Sequence, residues 1–222
     1  MKNMCISLCA VCLLVVLSAP AGVLAAELVA PEALLQKAGA DKDRLLVVQA
    51  KGTAMTLQAY EKTKGKWSLA FASSGFIGKG GLGRDKKEGD GKTPVGVFTI
   101  SRAFGIKENP GSRLPYTQVT QDDYWVDDPA SVHYNTWAKG TVANRDWKSA
   151  EHLITETVAY AYAAVIDYNT SPIVRGAGSA IFLHCSKGRP TAGCVSVPEK
   201  DMIRLLKFLQ PGDAIAIVDS AP

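Results

Sequence analysis

The chain has 222 residues, a formal net charge of +4 and 47% hydrophobic residues. That balance suits one folded domain with a proper core. The small positive excess excludes a strongly basic nucleic-acid binder, and would suit only loose attraction to a polyanionic surface.

The first segment reads as an export signal. Lys2 gives a short positive start, an apolar run follows from Cys5 to Leu17, and Val23 and Ala25 fit the small-residue rule of a signal-peptidase site. Cleavage is expected after Ala25, with Ala26 as the neighbouring alternative. The run is shorter than the roughly 20 residues of a spanning helix. The expected product is therefore exported, to a periplasm or cell envelope, with no stable membrane anchor. About 197 residues would remain. Cys5, Cys9 and Cys12 leave with the signal, so Cys185 and Cys194 are the two cysteines of the mature chain. In an oxidising compartment the bland expectation for such a pair is a disulfide.

Residues 26–43 read as a lead-in, with a short helix from Pro31 to Gly39. A single domain is expected over 44–219. Arg44 to Ala50 and Met55 to Tyr60 are strand-like, and Gly52-Thr53 between them predicts a hairpin. Trp67 to Ser73 is a third strand. The stretch from Gly75 to Gly96 is rich in glycine and charge and reads as loop. Val95 to Ile100 returns to strand. Residues 101–150 read as long loops with short elements. Glu151 to Ala164 is expected to begin as helix, and Val165 to Tyr168 to be strand. Pro198 to Leu209 places Met202, Leu205, Leu206 and Leu209 on one helical face. Pro211-Gly212-Asp213 breaks into a last strand, Ala214 to Val218. The balance is mainly β, a β-rich α+β fold with one or two helices.

The segment from His184 to Cys194 carries the most chemical information. It follows Ser179 to Leu183, a short apolar run that reads as a buried strand. A thiol needs a nearby base to become a good nucleophile at neutral pH. A His at a strand end and a Cys on the adjoining loop supply that pair. Strand alternation sends Cys185 away from the side His184 faces, which disfavours a Cys185–Cys194 bridge beside an intact pair. Cys194 is thus the candidate nucleophile, and Cys185 a small buried residue. No close-spaced ligand set of familiar form suggests a metal, and no cofactor is expected.

His184, Thr191, Ala192, Gly193 and Cys194 resemble the catalytic motif of the L,D-transpeptidase (YkuD-like) family. So do Thr93-Pro94-Val95-Gly96-Val97-Phe98, the run Gly178 to His184, and Pro211-Gly212-Asp213 before an apolar strand. The resemblance spans roughly residues 44–219 and implies a sandwich-like or barrel-like sheet core with flanking helices. Two positions depart from the common pattern. Cys185 stands where many members have Gly, and Ser196 where many have Arg; a family branch with a PTxGCV motif lacks that Arg.

The resemblance further implies attack by Cys194 on a peptidoglycan stem peptide, with His184 as base and acid. The backbone N–H groups of Gly193 and Cys194 would form the oxyanion site. Ser186 or a backbone carbonyl would orient His184. Arg84, Trp125, Tyr134, Asn135, Ser186 and Thr191 are candidate substrate contacts. Asp127 lies in the same loop as the aromatic candidates, and His133 there is a candidate second acid or base. Thr93, Pro94 and Gly96 read as structural, and His152 as surface. Two alternatives stay open: a thiol hydrolase or carboxypeptidase, and a non-catalytic wall-binding module with a Cys185–Cys194 disulfide.

Overall fold

The computed structural model describes residues 32–219 except Val142 and Asn144; the expected signal segment lies outside the described residues. Helix α1 spans Glu32–Ala38, close to the expected bounds. Three long strands follow, β1 (Arg44–Lys51), β2 (Ala54–Thr63) and β3 (Lys66–Phe76), paired as an antiparallel meander. Gly52, at a φ of 65°, makes the first turn as its sequence suggests.

Within the glycine-rich stretch the chain forms one small parallel pair, β4 (Leu82–Gly83) with β5 (Thr93–Pro94). Strand β6 (Gly96–Gly105) runs well past the expected Ile100. It is followed by β7 (Tyr116–Gln118), β8 (Asp123–Val126), β9 (Trp137–Lys139) and β10 (Ala150–His152). The last three form a separate sheet in the order β10-β8-β9. The helical start expected after Glu151 is not made. Glu151 instead pairs with Trp125 in that sheet, and two short 3-10 turns, Leu153–Thr155 and Ala159–Ala161, follow.

Strands β11 (Ala163–Ile166), β12 (Phe182–Cys185) and β13 (Val195–Val197) come next, then α2 (Glu199–Phe208) and β14 (Asp213–Asp219). The main sheet runs β11-β12-β13-β3-β2-β1-β14-β6, and β6 also pairs with β11, so the circuit closes. The fold is therefore mostly β, with a closed, barrel-like sheet and, among the described residues, two α-helices.

Alternation divides the apolar residues between the two faces. Leu46 and Val48 of β1, Leu183 and Cys185 of β12 and Ile215 of β14 join the main core, where Met202, Leu205 and Leu206 of α2 also sit. Leu45 and Val47 face the other way, into a cluster with Leu35 of α1 and Tyr60. Phe182 of β12 likewise faces a second cluster with Phe104, Trp125 and Tyr160. His184 shares its face of β12, since it lies two residues on.

Candidate active site

Beside the parallel pair β12–β13, His184 and Cys194 line one cavity of about 530 Å³. Glu151, Tyr160, Arg189 and Thr191 are also on its wall. Both candidate catalytic side chains are 7% exposed. Cys185, in the main core, and Cys194, in the second cluster, are free thiols on opposite faces of the sheet. The bridge of the binding-module alternative is not made, because alternation aims the two sulfurs apart.

His184 is oriented by backbone. Its Nδ1 lies 2.8 Å from the Cys185 carbonyl oxygen, which can only accept, so Nδ1 carries the proton and Nε2 keeps the lone pair. Ser186 does not do this; its hydroxyl accepts from the Gly188 N–H at 3.0 Å. The Tyr160 ring meets the imidazole edge-on at 5.8 Å. Burial pulls the imidazole down to about 4, against the Cys185 hydrogen bond. It is neutral at physiological pH and can accept a proton.

The Cys194 thiol donates to the Ala180 carbonyl at 3.2 Å and accepts from the Phe182 N–H at 3.3 Å. Burial, followed by the Glu151 carboxylate, pushes it up to about 12, with the Phe182 bond and Lys86 opposing. At rest the site therefore holds thiol and neutral imidazole.

The turn carrying Cys194 is held from behind. Thr93, fully buried, donates its hydroxyl to the Gly193 carbonyl at 2.7 Å and accepts from the Gly78 N–H at 2.8 Å. Gly193 sits at a φ of 156°, and a Cβ there would lie a tight 3.1 Å from the Lys92 carbonyl, so both the backbone angle and the space favour glycine. Its N–H, expected as an oxyanion donor, goes to Thr191 Oγ1 at 3.1 Å. The Cys194 N–H has no backbone or side-chain acceptor among the described residues.

The candidate contacts separate into two groups. Thr191 is on the cavity wall. Trp125, Tyr134 and Asn135, at 2%, 2% and 3% exposure, are buried and not on that wall. Asn135 Oδ1 accepts from Trp125 Nε1 at 3.0 Å and from the Ala180 N–H at 3.1 Å. This bond accompanies a left-handed Ala180 (φ 52°), so the strand expected from Ser179 begins only at Phe182, and the Ala180 carbonyl is turned toward the thiol. Tyr134 donates to the Glu88 carboxylate at 2.5 Å and accepts from the Gly178 N–H at 3.0 Å. Arg84 and Ser186 lie off the cavity wall, and Arg84 is exposed. His133 packs edge-on against Trp147, also away from it. Asp127 keeps its proton more firmly than usual because it is half-buried.

Other wall residues were not singled out in the sequence. Glu151 and Tyr160 carry no motif, Arg189 lies in the His184–Cys194 segment without an expected role, and His152, read as surface, also lines the cavity with its ring stacked on Tyr124 at 4.4 Å. Lys86, read as part of a solvated charge run, is buried and paired with Asp90 at 2.9 Å. Among the described residues, no group of three or more His, Cys, Asp or Glu could hold a metal ion.

A family model for the L,D-transpeptidase catalytic domain (YkuD) matches residues 42–217. The chain belongs to this family. No curated protein matches it. The matched span runs from the lead into β1 to β14, so it takes in the closed sheet, the cavity and both candidate catalytic residues.

Proposed function

We propose that the protein is an exported cysteine L,D-transpeptidase that acts on peptidoglycan stem peptides. The observation that carries the reading is one cavity walled by a thiol and by a neutral imidazole with its Nε2 lone pair available, on a chain of this family. Cys194 attacks the carbonyl that joins an L-centre to a D-centre. His184 takes the thiol proton and returns it to the departing amine, leaving a thioester on Cys194. The Cys194 N–H meets the developing oxyanion. Gly193 contributes a second donor once Thr191 Oγ1 releases its N–H. An acceptor amine then resolves the thioester.

The test is intact-mass analysis of the mature protein after incubation with a disaccharide-tetrapeptide donor. An acyl adduct on Cys194, absent from Cys194→Ala and from His184→Ala, is expected. A folded wild-type protein with a free thiol and no adduct would sink the thioester. Export is proposed on the signal-like segment alone. It predicts a mature chain beginning at Ala26, or one residue later, read by N-terminal sequencing of the protein recovered from the envelope fraction.

A further inference from the structure

Glu151 is a carboxylate on the wall of the cavity that holds Cys194, and nothing in the proposed acylation uses it. Its Oε2 accepts the Tyr160 phenol, and its other oxygen has no hydrogen-bond partner among the described residues. No cation of the described residues pairs with it. Lys187, on the same wall, is engaged by Glu156, and His152 is bonded to the Gln121 carbonyl at 2.8 Å. The Tyr160 ring that holds Glu151 also meets His184 edge-on at 5.8 Å. The carboxylate is thus fixed near the pair without occupying either member of it.

A half-buried carboxylate with no cation beside it is costly unless something supplies one. The second half of the proposed reaction brings such a group. Its acceptor is a primary amine, which travels in water as an ammonium and must lose a proton before it can attack. We infer that Glu151 is the acceptor-side residue: its carboxylate receives the ammonium of the incoming acceptor and takes its first proton. The acceptor class is then a primary amine that arrives as an ammonium. Burial, with Asp127, Glu156 and Glu88 adding to it and Tyr160 opposing, lifts this carboxyl to about 7, a value suited to trading protons near neutrality.

The step balances. One ammonium proton passes to Glu151 and on to solvent. The freed amine nitrogen bonds to the thioester carbonyl carbon, the C–S bond breaks, and the second amine proton reaches the sulfur through His184. The products are an amide, a Cys194 thiol and one solvent proton.

The inference rests on the Cys194 thioester and is tested so that the two can fail separately. Glu151→Gln keeps a group that can accept from Tyr160. With the same tetrapeptide donor, the ratio of aminolysis to hydrolysis products is measured for D-methionine, an ammonium at neutral pH, and for hydroxylamine, which is uncharged there. The Cys194 adduct should form in the variant no more slowly than in wild type, because a charge that opposes the thiolate is gone. The D-methionine ratio should fall at least tenfold, and the hydroxylamine ratio should stay within twofold. An unchanged D-methionine ratio, or an equal loss with both acceptors, would overturn the inference. So would a wild-type adduct that only water resolves, with the thioester surviving. No adduct on wild type would remove both.

Discussion

The Cys185 carbonyl 2.8 Å from Nδ1 decides which imidazole nitrogen can act, and burial decides when it is charged. A base held down to about 4 is neutral throughout the physiological range. The acid limb of Cys194 acylation should therefore fall near pH 4 rather than at the 6.5 of an ordinary imidazole. Rate constants for adduct formation across pH would show this, with a second inflection near 7 as Glu151 ionises and opposes the thiolate.

The same two residues pull stability in opposite directions. The His184 value is depressed on folding, so its contribution is complete above pH 6.5 and is lost as pH falls toward 4. The Glu151 value is raised from 4.5 to about 7, so its carboxyl is comfortable below 4.5 and costs stability as pH rises through 7. Glu151→Gln should stabilise the protein at pH 8 by up to about 3 kcal/mol, with little effect at pH 4. Urea titrations at the two pH values check the sign. A destabilised variant at pH 8 would mean that the Tyr160 hydrogen bond outweighs the burial of charge.

At the scale of elements, the nucleophile's surroundings come from segments far apart in the chain. Alternating or continuous apolar runs made β1, β2 and the face of α2 readable, and a His followed by a Gly-Cys turn made the site readable. What backs that turn was not readable. Thr93 touches Gly193 across 100 residues, and Asn135 touches Ala180 across 45. A buried polar side chain looks like any loop residue in sequence, since its partner is set by topology rather than by spacing. Glu151 was assigned to a helix for a related reason: a strand of three residues is too short to show a period. Thr93→Val keeps the shape but removes both the donor to Gly193 and the acceptor of Gly78. It should cost about 2–4 kcal/mol, as two buried backbone groups lose their partner. It should also slow acylation at least tenfold through the displaced turn. Thermal melts and adduct kinetics measure the two effects; unaffected acylation in a destabilised variant would make Thr93 a support of the fold alone.

For the whole molecule, the closed circuit puts β1 and β14 opposite β12 and β13, three or four strands away around the ring. The mainly β class and a sandwich-like or barrel-like sheet core were legible through the family resemblance. The closure itself was not, because β6 pairs with both β14 and β11 along different parts of its length, and no local pattern encodes that. This layout predicts that stability and chemistry can be separated. Leu45 of β1 is fully buried against Leu35 of α1 and Tyr60, on the face away from the main core. Leu45→Ala removes buried methyl groups at a site where sheet and helix can close up only partly, and should cost about 2–5 kcal/mol. In a domain of this size that lowers the melting midpoint by about 2–4 °C for each kcal/mol. Below the transition, the rate of Cys194 acylation per folded molecule should match wild type, because no cavity residue touches that cluster. Denaturant midpoints together with adduct rates on the same samples make the comparison. A slower adduct in fully folded Leu45→Ala would mean that strain crosses the ring, and that the sheet sets the position of the nucleophile as a whole rather than through the segments packed directly behind it.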